Sequence, residues 1–433
     1  MQAFAAVRDE SSTATAEVDR EDWFEMAQGN TLASADVVVV GAGLVGLCTA
    51  WELRKRGFTV AVVEQRFPGY GASSRNAGGL WLQTRRRGLE LTLARAGREK
   101  YGEYIDVLGD VFDLRRDGGL FFFENDEQRA VIERYVGDRQ DAGLDIEMVS
   151  RDVAAELSPV LPETAIGAAF CRDDAQIDSL GFVNALENAC IRHGIQILRN
   201  CSVLSSLRDG DAVTGVRTVR GEVHAGGVVW AVGAWAVMLR TEGIDLPIET
   251  TRMGQLMTQP LETATSPPLR GPRGVHGCGA LLDLPDFDPG LFAPPAYGED
   301  NSVDDGEPAS ALEYDDTISL NHGGSLYIGH SIDGRGSLNP HISLNATRAM
   351  TAVAMDRFDR YADFGVTGLW AGLGSETPDN LPIVGRLDGA YVNVGHMWGV
   401  ASAPICAQVV AESIAGEDSD FAAGLSPQRA MLS

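Results

Sequence analysis

The residues best spaced to do chemistry lie between Asp36 and Glu64. Gly41, Gly43 and Gly46 form a G-x-G-x-x-G pattern directly after an apolar run at 37–40, and Glu64 stands 18 positions after the last glycine. Two such glycines let the backbone turn tightly and approach a pyrophosphate, and the third lets a helix pack closely on a strand. The helix N-terminus, at Leu44 and Val45, supplies free N–H groups and a positive dipole end. An acid at 64, followed by Gln65, accepts hydrogen bonds from a ribose and repels a 2′-phosphate. That disfavours NADP and leaves FAD and NAD open. A second polar cluster follows at Ser73, Ser74, Arg75, Asn76, Ala77, Gly78 and Gly79, ahead of Trp81. A loop of this composition hydrogen-bonds phosphate and lets the backbone approach a flat ring.

A strand, a helix and a second strand are needed to hold these groups. The run at 37–40 suits a strand buried on both faces. Leu44, Leu47, Trp51 and Leu53 predict a helix ending at Gly57, and 59–63 predicts the second strand. From 36 to 64 the unit spans 29 residues, the length a βαβ nucleotide-binding unit requires. Farther along, 89–108 reads as a helix and 119–123 as a strand. Asp178 opens a helix to about His193, with Gly194 as its stop and His193 solvated at the negative dipole end. Strands are predicted at 195–198, 202–207 and 213–219. A buried strand at 228–232 then runs into a turn at Gly233 before Trp235. From Thr251 the pattern becomes amphipathic strands broken by loops, with a strand at 325–330 that carries Tyr327 and a helix at 347–361. Between Leu281 and Asp316 there are 11 acids and no basic residue, which is expected to be a solvated insertion. Position 12 counted from Asp286 is Tyr297 rather than an acid, so it does not follow a Ca²⁺ loop.

Composition narrows the partners. The 433 residues carry a formal charge of −26 and a pI near 4.6, which excludes nucleic acid and anionic membrane surfaces, themselves polyanions. Lys55 and Lys100 are the only lysines, so Schiff-base chemistry has two candidates, one of them inside the nucleotide-binding helix. Cys48, Cys171, Cys190, Cys201, Cys278 and Cys406 show neither C-x-x-C nor metal-ligand spacing, and no metal is expected. They read as reduced and buried. With no apolar stretch of membrane-spanning length and an acidic N-terminus, the expected location is cytoplasmic.

A second diagnostic stretch lies near the C-terminus: Trp370-Ala371-Gly372-Leu373-Gly374-Ser375-Glu376-Thr377-Pro378-Asp379-Asn380-Leu381-Pro382-Ile383-Val384-Gly385, then Tyr391-Val392-Asn393-Val394-Gly395-His396. It resembles the FAD-closing signature of the D-amino-acid oxidase superfamily, which includes glycine oxidase, sarcosine oxidase and D-amino-acid dehydrogenases. The loop at 73–78, Asp178, the stretch 231–235 and Ile328-Gly329-His330-Ser331 support the resemblance, which runs from about residue 35 to 416. It implies FAD as cofactor. Further implied FAD contacts are Val203, Gly233, Trp235, Gly372, Gly395, His396, Met397, Gly399, Val400 and Ala401. Ser402-Ala403-Pro404 predicts a helix start with Ser402 as N-cap. The resemblance puts that N-terminus at the flavin's N1–C2=O edge, where it would stabilise the charge arriving on reduction. Sarcosine oxidases hold flavin through a cysteine at the position of Gly372, so glycine here implies non-covalent FAD. Glycine oxidase and D-amino-acid dehydrogenases clamp the substrate carboxylate with an arginine at the position of Gly374. Here that arginine is missing, as is the basic residue that some members place between His396 and the helix. Either the substrate has no free carboxylate at that place, or another arginine supplies the clamp, with Arg85, Arg86 and Arg87 the first candidates and Arg252 the second.

The expected architecture is α/β: a Rossmann-like FAD domain from 35–95, 166–240 and 366–420, and a mixed-sheet substrate domain from 96–165 and 241–365. An acidic extension at 1–34 and the insertion at 281–316 lie outside both. The expected reaction is oxidation of a C–N bond in an amine or amino acid to an imine by hydride transfer to flavin N5. His396, Trp81, Trp398, Tyr327 and Arg85 are the expected pocket residues. O₂ or an electron-carrier partner would reoxidise the flavin, and an oligomer is compatible with the chain. The alternatives are a subunit of an amino-acid or opine-type dehydrogenase and a flavin-binding protein without catalysis.

Overall fold

The computed structural model describes residues 30–262, 266–292 and 313–429. Most of the expected acidic extension, and the centre of the acidic insertion, therefore lie outside the described residues. In chain order the strands are β1 (Thr31–Val40), β2 (Val60–Val63), β3 (Gly79–Leu80), β4 (Gly119–Phe123), β5 (Ile146–Ser150), β6 (Gly167–Cys171), β7 (Ala175–Gln176), β8 (Gln196–Leu198), β9 (Val203–Asp209), β10 (Ala212–Thr218), β11 (Gly221–Trp230), β12 (Glu249–Pro260), β13 (Leu269–Arg270), β14 (Glu313–Leu320), β15 (Ser325–Asp333), β16 (Val366–Glu376), β17 (Ile383–Leu387) and β18 (Ala390–Val394). Five helices bear on the site: α1 (Leu44–Lys55), α2 (Leu89–Leu108), α3 (Ser179–Arg192), α4 (Leu344–Arg357) and α5 (Gly399–Ala415).

The run of valines at 37–40 lies at the centre of an eight-stranded sheet ordered β17-β18-β11-β1-β2-β8, with β10 and β9 continuing from β11. β1 pairs in parallel with β2 and β11, matching Val40 to Val63 and to Trp230. Strand alternation sends Val37 and Val39 into one apolar cluster with α1, α3 and α5, and Val38 and Val40 into another with β11 and β18. Both faces being covered explains a strand with no polar alternation. β1 begins at Thr31, which corrects the extension boundary at 34: its first residues pair with Glu222, Val223 and His224 on the longer β11.

The second sheet runs β16-β12-β15-β14-β13-β4-β6-β5, with α4 packed on β12 and β15. Two boundaries of the expected division move, because β6 and β16 are strands of this sheet rather than of the nucleotide sheet. Both are short of distinguishing signals, since a buried glycine-rich strand reads alike in either sheet. The acidic insertion also shrinks. Its last residues enter β14, where Asp315 is 5% and Asp316 0% exposed. They are interior partners of arginines: Arg270 Nη2 donates to Asp315 at 2.6 Å and Arg357 Nη2 to Asp316 at 2.7 Å.

Candidate functional site

At the nucleotide end the glycines have distinct jobs. Gly41 has φ +105°, and a Cβ there would stand 2.4 Å from the Ala231 carbonyl oxygen. A Cβ on Gly46 would stand 1.9 Å from the Gly41 carbonyl oxygen, so Gly46 lets α1 press on the turn and does not itself line the cavity. Ser73 Oγ accepts the Leu44 N–H at 2.9 Å. The Val45 and Gly46 amides, in the first turn, have no backbone acceptor among the described residues, as helix geometry leaves them. Glu64, at the tip of β2, accepts the Ala42 N–H at 2.9 Å and the Arg66 N–H at 2.8 Å. Burial pushes its carboxyl above the usual range although both amides favour the charged form. Glu64 thus also holds the glycine turn to its neighbouring strand.

The polar loop spends much of its hydrogen bonding on itself. Ser74 donates to the Gly69 carbonyl and faces away from the cavity. Asn76 Oδ1 accepts from the Gly78 amide and Ser179, and Arg75 Nη1 donates to the Ala371 carbonyl at 2.8 Å, tying the loop to β16. Ser73, Arg75, Asn76, Ala77, Gly78 and Gly79 line a single cavity of about 800 Å³ that also takes in Gly41, Gly43, Leu44, Val45, Glu64, Gln65, Val203, Gly233 and Trp235. The same cavity extends past Gly372 to Met397, Gly399, Val400 and Ala401. Gly395 lies just behind, with φ +76° and a Cβ position 2.6 Å from Thr377 Cγ2.

α5 starts three residues before the expected N-cap. Trp398 precedes its first turn and provides no side-chain cap, and the Gly399 and Val400 amides find no backbone acceptor among the described residues. Ser402 instead bonds His396 Nδ1 at 2.8 Å. Pro404 is tolerated inside the helix because the carbonyl it cannot serve, that of Val400, accepts the Tyr101 hydroxyl at 2.6 Å. Gly97 of α2 permits that approach: a Cβ there would be 1.7 Å from the Ala401 carbonyl oxygen.

His396 lines the cavity, yet both ring nitrogens are engaged, Nδ1 with Ser402 and Nε2 with Asn393 Oδ1 at 2.9 Å. Burial pulls its pKa down to about 3, so it is a neutral strut between β18 and α5. Trp81, Arg85 and Trp398 also line the cavity. Arg85 is committed: it donates to Thr84 Oγ1 at 2.8 Å and to Glu90 at 3.3 Å, and stacks 5.1 Å over the Trp398 ring. Arg86 also lines the cavity while its Nε pairs with Asp283 at 3.2 Å, and Arg87 pairs at the surface with Asp138. Two expectations fail here. Tyr327 does not line the cavity; its ring meets Trp370 edge-on at 5.8 Å. Arg252 is held by Asp333 at 2.7 and 2.8 Å on β15 and is likewise outside the lining. Alternation along β12 and β15 points both side chains away.

Sequence reasoning missed Arg270, Asp315, Thr317 and Met253, and gave His330 no role; all five line the substrate end. Their strands β12 to β15 are far apart in the chain, and only the glycines at 271, 274 and 277 around Arg270 signalled close packing. At position 374 a Cβ would meet Met397 Sδ at 2.9 Å, so the methionine fills the space beside the glycine.

A cavity of about 800 Å³ lined by the first turns of α1 and α5, with glycines where backbone must approach, fits FAD. Among the described residues no helix is long and apolar enough to cross a membrane. The chain is 28% identical over 235 residues to the pyruvate dehydrogenase phosphatase regulatory subunit of Mus musculus, covering 53% of this chain and 27% of that protein's length. It is 26% identical over 399 residues to a glycine oxidase of Bacillus licheniformis, covering 88% and 93%. The solved structure of glycine oxidase from Geobacillus kaustophilus shares the fold, with a TM-score of 0.76 at 21% identity over 92% of this chain and 99% of that one. The model of the DAO family of FAD dependent oxidoreductases matches residues 36–413, and the chain belongs to that family.

Proposed function

We propose that this protein oxidises a C–N bond of an amine or amino acid to an imine. The observation that carries this reading is one cavity joining the nucleotide turn to an end lined by aromatic residues and arginines. The Val45 amide would take the pyrophosphate, Glu64 the ribose, and the Gly399 and Val400 amides the flavin ring's carbonyl edge. When bound, FAD supplies the hydride acceptor. Trp81, Met397 and Trp398 exclude water and fix the orientation of the donor carbon. Neutral His396 holds the β18–α5 corner without adding a positive charge. Gly372 offers no nucleophile, which supports non-covalent FAD, so acid precipitation should release all flavin and leave a colourless pellet. The six buried, unpaired cysteines are in keeping with a cytoplasmic setting.

An anaerobic screen of primary, secondary and N-methylated amines and amino acids tests the reading. Bleaching of bound flavin by at least one is expected; a panel in which none bleaches would favour a flavin-binding protein without catalysis. Peroxide release on admitting air identifies an oxidase, and bleaching without peroxide a dehydrogenase that hands electrons to a partner.

A further inference from the structure

The loop between β16 and β17, residues 377–382, carries Thr377 and Asn380 to the wall of the cavity. Little in its own backbone holds it there. Pro378 and Pro382 contribute no N–H donor, and Asn380 adopts φ +59°. Its internal hydrogen bonds run from Thr377 Oγ1 to the Leu381 carbonyl at 2.8 Å, from the Asn380 amide to the Thr377 carbonyl at 3.0 Å, and from the Leu381 amide to Asp379 Oδ1 at 3.2 Å. Asn380 is nonetheless a hub. Its carbonyl accepts Trp398 Nε1 at 2.8 Å, and its Nδ2 donates to Glu90 Oε1 at 3.0 Å. The same Glu90 oxygen accepts Arg85 Nη1 at 3.3 Å, and Arg85 stacks over the Trp398 ring. Where Asn380 sits therefore decides where two cavity-lining side chains, Trp398 and Arg85, are held.

The support comes from a residue 50 positions beyond Asp379. After a short helix α6 (Ala422–Leu425), Arg429 turns its guanidinium onto the loop. Nε and Nη2 fork onto Asp379 Oδ2 and Oδ1 at 2.7 and 2.9 Å. Nη2 also donates to the Leu381 carbonyl at 2.9 Å, and Nη1 to those of Pro382 and Leu425, both at 3.1 Å. A guanidinium carries five N–H donors, and each finds an acceptor here. The Arg429 and Asp379 side chains are 9% and 11% exposed, and neither residue lines the cavity. The same segment braces the other side of the hub. Leu425 is fully buried, and a Cβ on Gly424 would stand 2.4 Å from Cδ2 of Leu89, the residue before Glu90. Residues 424–429 thus press on both partners of the Asn380–Glu90 bond.

We propose that Arg429 is a positioning residue for the oxidation: by gripping Asp379, Leu381 and Pro382 it fixes Asn380, and through Asn380 the Trp398 indole and the Arg85 guanidinium at the cavity wall. The proposal rests on the C–N oxidation reading for its kinetic consequence, and on the hydrogen bonds alone for its effect on the wall. Lysine could not do the same, because an ammonium is a point charge and cannot form the planar fork. Displacing an orienting group by about 1 Å can cost on the order of 10²-fold in rate, which sets the scale of the effect. A residue that only pinned α6 to β17 would change the melting temperature and nothing at the flavin.

The test uses the FAD-loaded protein, held well below the melting temperature of each variant. It reads the limiting rate of anaerobic bleaching by whichever compound of the screen bleaches the unmodified protein fastest, and the visible circular dichroism of bound flavin, which needs no substrate. The pair Arg429→Met with Asp379→Asn removes the grip without stranding a carboxylate. It should lower the limiting rate at least about 10-fold at unchanged flavin content and change the flavin's dichroism. Arg429→Lys, milder and able to carry the test if the pair does not fold, should move both readouts the same way by a smaller factor. Trp398→Phe, which removes the indole N–H, should also lower the rate, and adding it to the pair should cost less than about 2-fold more, because both act through the Asn380 carbonyl. A lower melting temperature with unchanged rate and dichroism, or rate losses that multiply when combined, would overturn the assignment while leaving the oxidation reading in place. If no compound bleaches the flavin, the oxidation reading fails and the dichroism decides alone: a changed band supports the grip, and an unchanged one overturns it.

Discussion

The two ends of the cavity are built by different means. The nucleotide end is backbone geometry: three glycines, the first turn of α1 and the tip of β2, drawn from 24 consecutive positions between Gly41 and Glu64. The substrate end is side chains from strands β12 to β15, held by buried ion pairs such as Arg270 with Asp315 and, one layer behind, Arg357 with Asp316 and Glu124. Backbone sites tolerate no added atom but need no charge balance. Ion-paired sites tolerate changes of shape but not the loss of one partner, because the other is left buried and charged.

That contrast can be broken from either side. The largest expected effect is Arg357→Met, which strands Asp316, 0% exposed, and Glu124. We expect a loss of about 3–5 kcal/mol in urea unfolding, and a loss under 1 kcal/mol would show that this sheet does not depend on its charges. Next is Gly46→Val, whose side chain would enter the Gly41 carbonyl. We expect destabilisation of about 3 kcal/mol and purified protein without flavin absorbance; a yellow variant at normal occupancy would refute the turn's role. Gly43→Val, which crowds Ser73 Oγ at 3.0 Å, should also abolish flavin binding.

A titration gives the third contrast. Asp174 Oδ1 accepts the Leu82 and Gln83 amides beside Trp81, and burial pushes its pKa up to about 6. Because the folded pKa is raised, the native state binds the proton more tightly than the unfolded chain. Its charged form is a cost that is present above pH 6 and disappears as pH falls toward 4. This group alone should make the protein up to about 2–3 kcal/mol more stable at pH 4 than at pH 7. Asp174→Asn should remove that component from the slope of unfolding free energy against pH, and an unchanged slope would show that the group does not titrate there. The smallest effect belongs to Tyr327→Phe. Among the described residues its hydroxyl meets only Asn321 Nδ2, at 3.4 Å, and it lies outside the cavity. We expect less than 0.5 kcal/mol in stability and unchanged half-saturation in flavin bleaching; a large change in the latter would put Tyr327 back in the site.

Legibility followed the same division. Helix α2 and strand β4 appear at the positions their patterns predict, and Asp178 caps α3 by accepting the Gly181 amide at 2.9 Å. Such signals are local. The start of α5 was misplaced because Ser402 is a good cap by type, whereas its hydroxyl is drawn to His396, a contact that depends on how β18 meets the helix. The arginine candidates failed for a related reason. Arg85 and Arg252 are of the right type, but a side chain's free donors depend on its neighbours in space, here Thr84, Glu90 and Asp333. Asp315 and Asp316 read as members of a solvated acidic run because their arginines are 45 and 41 positions away.

Residue order was enough for the parallel βαβ unit, its glycine turn and the terminal acid, because those requirements are met by neighbours close along the chain. That Glu64 braces the turn, that His396 is a neutral strut and that Arg270 Nε and Nη1 find no acceptor among the described residues came from the packed fold. Each of those depends on burial and on which partners are left over, and both are properties of packed strands rather than of residue order.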